Sequence, residues 1–236
     1  MPHAGAKRFY KRAETSSVPG GFGIELDGRA VRTPAGDALL LPTQALAEAV
    51  RDEWQAQADV IKPESMPMMQ LSCTAWDRVV PNRDVIIGQT ATYGATDLLC
   101  YFSDKPDELV RRQREGWQPL LDWAAAELSA PLETANGILH IAQPEASLVA
   151  LKAEVAALDD WSLTAVAQLT QVLGSLVLAL AIARGRLSAG EAFRLSVIDD
   201  NFQAERWGED REALQRLRGL EREVDAAVVF LGLARA

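Results

Sequence analysis

Two adjacent carboxylate pairs, Asp159-Asp160 and Asp199-Asp200, are the residues whose type first suggests chemistry, because paired aspartates hold magnesium in helical diphosphate enzymes. Such a metal face needs a further carboxylate one turn on. The position four after Asp159 is Leu163, and the position four after Asp199 is Gln203, so neither pair completes the set. Adjacent helical side chains also diverge by about 100°. Asp160 is therefore read as a helix N-cap and Asp199 and Asp200 as helix-end charges, with no metal site expected. His3 stands in an N-terminal tail and His140 alone after Asn136-Gly137, so both are read as structural. GxSxG, GxxxxGK[ST] and GxGxxG patterns are absent; Gly20, Gly21 and Gly23 fall in a hairpin region and open no helix. No catalytic residue and no cofactor are expected.

The stretch DDNFQAERWGEDREA, residues 199–213, is different in kind. It sets Asp199, Asp200, Glu205, Glu209, Asp210 and Glu212 beside Phe202 and Trp207, and Gly208 marks a break. Acidic residues at a helix start stabilise it, and Trp207 could fill a junction between helices. Aromatic anchors beside unpaired carboxylates also make interfaces. From the residues alone both readings stand.

Composition narrows the partners. A net charge of −9 argues against a general nucleic-acid binder, which needs a basic face to meet phosphate. The one basic cluster, Lys7, Arg8, Lys11 and Arg12 around Phe9 and Tyr10, reads as solvated charge beside buried aromatics. Cys73 and Cys100 lie far apart and outside any CxxC pair, which predicts buried thiols rather than a disulfide or zinc site. The opening MPHAGAKRFYKR lacks the apolar core of a secretory signal and is short for a transit peptide, so a bacterial cytoplasm is the expected compartment.

The elements that must position residues 199–213 follow from hydrophobic period and turn chemistry. Strands are predicted over 7–18, 22–26, 29–33 and 38–41, with Asp27-Gly28 supplying a type I′ turn. Thr43 should cap a helix that lays Leu46, Val50 and Trp54 over this small sheet. Pro63 and Pro67 set an expected domain boundary, giving a β-rich domain with one helix over residues 1–62 and a helical domain over 63–236. In the second, a helix over 68–80 should close at Pro81, with Asn82 capping the next. Asp97, alone among apolar residues in YGATDLLCYF, is expected to cap or bind backbone amides. Pro119 should kink or split a helix that begins at Pro106. Asn136-Gly137 suggests a small hairpin over 132–141. Ser188 and Glu191 form a capping box for a helix ending near Phe202, and a last helix begins about Asp210. The organising element is a buried helix over 161–184. Its run from Val172 to Ala183 is apolar on every side apart from Gly174 and Ser175, yet at 12 residues it is too short for the roughly 20 of a bilayer crossing, so no membrane insertion is expected. Gly185 is placed to end it. The fold class is α+β: a small N-terminal antiparallel β domain with a covering helix, then a larger multihelical, orthogonal-bundle domain.

Several runs together carry a resemblance. They are LDGRAVRTP (26–34), Glu53-Trp54 with Gln57, Met66-Pro67, TDLLCY (96–101), Gln113 with Trp117, Pro119 and Asp122-Trp123, GSLVLALA (174–181) and WGEDREA (207–213). The chain resembles the ATP-twelve family, assembly chaperones that attend the alpha subunit of the F-type ATP synthase catalytic head in mitochondria and alphaproteobacteria. It departs from the family pattern at Asn201-Phe202-Gln203, where the family tends to place an acidic residue and a tryptophan before the glutamine. Phe keeps the aromatic bulk and loses the indole donor.

The resemblance implies a non-enzymatic protein, free of cofactors and monomeric when unbound, that holds a new alpha subunit until it meets beta. Its compartment would be the bacterial cytoplasm, or the mitochondrial matrix for a processed organellar form. Client contacts are then expected at Glu205, Trp207, Glu209, Asp210 and Glu212, joined by Asp200, with Trp54 and Asp97 structural. A metal-dependent helical enzyme using Asp199-Asp200 and a general holdase are the competing classes.

Overall fold

Asp27-Gly28 turns the chain as its dipeptide demands, with both residues at positive φ, 49° and 79°. This turn joins β2 (Gly21–Leu26) to β3 (Arg29–Ala30), and β2 pairs on its other edge with β1 (Ala13–Val18), giving an antiparallel sheet in the order β1-β2-β3. The first strand is shorter than the expected 7–18. The Asp27 carboxylate accepts the amides of Lys11 and Arg12, each at 2.9 Å, and the chain bends there. Beyond β3 the returning segments make only single bridges, Arg32 to Ala38 and Phe22 to Leu41. The structure, a computed structural model, describes residues 5–137, 139–208 and 210–236.

Ile24, Leu26, Val31, Leu39 and Leu41 are buried, and α1 (Gln44–Gln55) supplies cover through Leu46, Val50 and Trp54, all at most 2% exposed. Thr43 caps this helix as expected: its hydroxyl oxygen accepts the Leu46 amide at 3.1 Å and its hydrogen goes to the Leu233 carbonyl at 2.6 Å. The Tyr10 hydroxyl donates to the Trp54 carbonyl, and the two rings meet edge to face. Near the end of α1, Glu53 accepts the amides of Met68 (2.7 Å) and Met69 (2.8 Å), two of the donors that the start of α2 (Pro67–Thr74) leaves without helical partners. The chain divides into two compact units, and this tie lies within the first. It comprises residues 1–83 with 160–165 and 229–236, and the second unit comprises 84–159 and 166–228.

After α2 the backbone does not stop at Pro81. A π turn over Ala75–Val79 and a 3-10 turn over Val80–Asn82 lead into α3 (Arg83–Ala91). Asn82 does not cap α3; its amide nitrogen donates back to the Arg78 carbonyl. Next come β4 (Tyr101–Phe102) and α4 (Asp107–Glu127), which runs through Pro119 as one helix rather than splitting there. The hairpin expected over 132–141 is instead β5 (Ala135–Asn136) paired in parallel with β4, and Ile138 lies outside the described residues. Gly137 takes φ 77°, as a turn glycine does, but its amide goes to the Phe102 carbonyl. α5 (Glu145–Ala156) follows.

The helix expected over 161–184 is two helices, α6 (Asp160–Leu173) and α7 (Leu176–Ala183). Gly174, at φ 67°, leaves the helical path, and the Ser175 hydroxyl caps α7 by accepting the Leu178 amide at 3.0 Å. Asp97 completes the break. Wholly buried, it accepts the amides of Leu99 (3.1 Å) and Val177 (3.0 Å), while the Leu98 amide donates to the Gly174 carbonyl. Burial raises the Asp97 pKa; the Ser175 hydroxyl and the amides of Val177, Leu99 and Leu176 pull it back down. Residues 176–182 are all buried, and α7 packs against α4, residues 92–96 and α8 (Ala189–Ser196). Gly185 (φ 71°) ends α7 as expected, its amide reaching Ile182 and that of Arg186 reaching Ala181. Asp160 is the first residue of α6 rather than its cap, and its carboxylate meets Arg83 at 2.6 Å. The Ser188–Glu191 capping box is present. Its helix stops at Ser196, and α9 (Ile198–Trp207) and α10 (Arg211–Ala234) complete the chain. Cys73 and Cys100 are buried free thiols, pushed up to about 11 and about 12 by burial. Among the described residues no helix is long and apolar enough to cross a membrane. The fold is the expected small antiparallel sheet followed by helices.

Two measurements test these ties. Asp97→Ala leaves buried amides without acceptors at the α7 start and should lower unfolding free energy by about 3–5 kcal/mol, with Asp97→Asn losing less; equal denaturation midpoints for all three proteins would remove the tie. Glu53 is raised by burial to about 7, above its ordinary 4.5, despite the two amides that favour its charge. Between those values the folded chain keeps a proton that the unfolded chain has released, so this group's contribution is full below pH 4.5 and declines as pH rises to 7. Glutamine at this position mimics the protonated carboxyl, so the thermal midpoint of wild type should fall relative to that of Glu53→Gln from pH 5 to pH 8; parallel curves would contradict the assignment.

Candidate functional site

Residues 199–213 prove to be two helix ends joined through a glycine. α9 finishes at Trp207, and Gly208 takes φ 92° and ψ 160°, a conformation that side-chain-bearing residues rarely adopt. Asp210 then caps α10, its carboxylate oxygens accepting the amides of Glu212 and Ala213 at 3.3 Å.

The carboxylates do not form one cluster. Asp199 is half-buried and accepts a bond from the Gln113 side chain at 2.6 Å; burial raises its pKa, with Gln113 opposing and Asp200 adding to the rise. Asp200 pairs with Arg216 at 2.7 Å. Glu205 holds Arg112 Nη1 with both oxygens, at 2.9 and 2.8 Å, and Arg112 Nη2 reaches Glu108 at 2.6 Å. The expectation of unpaired acidic groups thus fails for Asp200 and Glu205. Their partners are 16 and 93 residues away in sequence, beyond the reach of local spacing. Glu212 is exposed and forms no ion pair among the described residues, so with Asp210 it leaves negative charge at the start of α10. Glu209 and His3 lie outside the described residues.

Trp207 is 77% exposed. Its ring borders a cleft of about 210 Å³ that joins Asp200 and Ala204 on α9 to Asp210, Leu214 and Leu217 around the start of α10. Covering an indole this exposed is worth about 3–5 kcal/mol at about 25 cal/mol per Å². Phe202 points the other way. It is 3% exposed, with the guanidinium groups of Arg112 and Arg206 at 5.3 and 5.0 Å from its ring centre. A client at the surface would therefore meet Trp207 and not Phe202.

The paired aspartates do not act together. Asp199 turns to Gln113 and Asp200 to Arg216, and among the described residues no three His, Cys, Asp or Glu side chains gather as a metal would require. His140 places its Nδ1 3.4 Å from the Tyr101 hydroxyl on the surface. Gln113, Arg112 and Arg216 are the positioning residues that sequence reasoning missed. One signal was available: Leu109, Gln113 and Trp117 share an i, i+4 row, and a glutamine on an apolar row must find buried partners. Gln113 does so, accepting the Ser103 amide and donating to Ser103 and Asp199.

Comparison with known proteins agrees with this architecture. Residues 7–125 match the sequence model of the ATP12 chaperone protein family. The crystal structure of Atp12 from Paracoccus denitrificans is 44% identical and superposes with a TM-score of 0.93, covering 97% of this chain and 98% of that one. An aspartate-to-lysine mutant of the P. denitrificans Atp12p is 43% identical with the same TM-score and coverage. The mitochondrial protein atp12 of Schizosaccharomyces pombe is 23% identical over 225 residues, spanning 90% of this chain and 77% of that protein. The chain therefore belongs to the ATP12 chaperone family and is an assembly factor of the ATP synthase.

Proposed function

We propose that this chaperone binds the unassembled alpha subunit of the F-type ATP synthase catalytic head through the Trp207 surface and keeps it from aggregating until it assembles with beta. The exposed indole carries the reading. A large aromatic left in water, beside a small apolar cleft and uncompensated carboxylates, has the make-up of an interface anchor with a charged rim. A subunit that awaits its partner exposes an apolar interface of the obligate kind, and a cover with net charge −9 keeps the pair dispersed. Trp207 is the anchor, and Glu209, Asp210 and Glu212 set the charge. Asp200 contributes through its ion pair with Arg216, which ties α9 to α10, and Glu205 through its ion pair with Arg112, which ties α9 to α4. The protein acts without chemistry of its own, as a monomer when free, in the bacterial cytoplasm or the matrix of an organelle.

Co-expression of the alpha subunit with wild type, Trp207→Ala and Glu212→Lys tests this. Trp207→Ala should weaken binding by at least about 2 kcal/mol and lower the yield of soluble alpha accordingly. Glu212→Lys reverses charge without removing a side-chain cap, unlike Asp210→Lys, and should also reduce co-purification. Circular dichroism should show both variants folded. Undiminished recovery of alpha with both would reject this surface; equal protection of beta and of an unrelated protein would replace the reading with a general holdase.

A further inference from the structure

The outer edge of β1 carries main-chain groups that the fold leaves unpaired. β1 stands at one side of the antiparallel sheet, and its six residues pair with β2 one to one, without a bulge. The direction of each main-chain group follows from the register. The Asp27 amide reaches the Arg12 carbonyl at 3.0 Å, which makes Ala13 and Leu26 a pair that exchanges no hydrogen bond and sets the alternation of the whole ladder. Glu14, Ser16 and Val18 therefore exchange bonds with β2, and Ala13, Thr15 and Ser17 turn their N–H and C=O groups away from it. β2 agrees from its other edge. Opposite Thr15, the Ile24 carbonyl accepts the Val31 amide at 2.8 Å; opposite Ser17, Phe22 exchanges bonds with Leu41 at 2.9 and 2.8 Å. At the near end of β1, Gln55 fills the outer edge, its Oε1 accepting the Ala13 amide at 2.9 Å. Beyond it the N–H and C=O of Thr15 and Ser17 meet no partner among the described residues. Thr15 is half-buried, Ser17 is exposed and Val18 is 37% exposed. Open edges are commonly guarded by lysine, proline or a bulge. β1, AETSSV, has none of these, and its single charge, Glu14, is paired with Arg12 at 2.9 Å.

We propose that β1 takes an extended, uncharged segment of a client protein as an added strand, bonded to the main chain of Thr15 and Ser17. Alternating N–H and C=O groups along a strand edge are complementary to another extended backbone and to little else. Gln55 sets the register by closing the edge at Ala13, so pairing is confined to Thr15 and Ser17 and needs about three to five residues of client chain. The side chains of the edge choose the character of that segment. Thr15, Ser16, Ser17 and Val18 offer no charge to complement, and they favour threonine- or valine-sized cross-strand neighbours. A second copy of this chain fits less well. It would bring a further net charge of −9 to a pairing two residues deep on each side, whereas a client strand that still lacks its own sheet partner needs only a passing hold. The inference rests on the chaperone role of the family and not on the Trp207 surface.

The test follows amide exchange and chemical shifts of the full ¹⁵N-labelled chain. In the free chain the amides of Thr15 and Ser17 should exchange faster than those of Glu14 and Ser16, by about tenfold or more. A blocked Thr-Val-Thr-Val-Thr peptide should move the signals of residues 13–18 and slow exchange at Thr15 and Ser17, and a Thr-Gly-Pro-Gly-Thr counterpart should bind about tenfold more weakly. Ser17→Pro deletes an N–H that points away from β2, so it should keep the Glu14 and Ser16 amides protected while weakening the peptide about tenfold, the worth of one such bond. The exchange measurements on wild type decide the question even if Ser17→Pro loosens the ladder. Trp207→Ala should leave peptide binding unchanged even if it loses the alpha subunit, which separates this proposal from the previous one. Thr15 and Ser17 amides as protected as their neighbours in the free chain, equal binding of the two peptides, full affinity in Ser17→Pro, protection that rises with protein concentration as two copies pair, or no binding would each overturn it.

Discussion

The carboxylate of Asp97 is the constraint on which the helical unit turns. An eight-residue helix with no polar side chain, α7, can lie at the centre of a unit only if its first amides find acceptors there, since water cannot reach them. Ser175 satisfies one amide from within the chain and Asp97 another from about eighty residues away. The charge opposes its own burial, which raises its pKa, but the amides and hydroxyl around it act in the opposite sense. An apolar residue at 97 would make the core drier and leave the helix start without partners.

From α7 the positions of the other elements follow. α4 and α8 pack against it, and the Trp117 indole on α4 donates to the Leu195 carbonyl at the end of α8. On α4, Gln113 and Arg112 sit side by side and hold two residues of α9, Asp199 and Glu205. The surface that carries Trp207 is therefore set by polar side chains of a helix ninety residues earlier. Charged groups that look available for a client in the sequence are partly consumed in building the surface, and exposure is left to a tryptophan and to the start of α10.

Much of this was legible where the chemistry is local. Asp27-Gly28, the Thr43 cap, the Ser188–Glu191 box and the Gly185 stop each depend on a few consecutive residues, and the structure contains all four. Asp97 could be assigned to backbone amides because a lone carboxylate in an apolar run has few other uses, although which amides it binds could not be read. Where a distant partner decides, local pattern and structure part. Gly174 and Ser175 looked tolerable inside a helix and mark its break, because Asp97 and Leu98 engage the backbone exposed there. Asn136-Gly137 carries the dipeptide of a hairpin, and β4 took up its backbone instead. The same limit applies along residues 199–213: the pairing of Asp200 with Arg216 and of Glu205 with Arg112 lies beyond local spacing.

Gly208 has an evolutionary consequence. Among the described residues, chain neighbours apart, no atom lies within 4 Å of where its Cβ would be, so space does not restrict the position; its φ of 92° does. A side chain at 208 would find room but strain the backbone, so the direction in which α10 departs from α9 rests on the glycine. Change at this junction is thus open in side-chain volume and closed in backbone path.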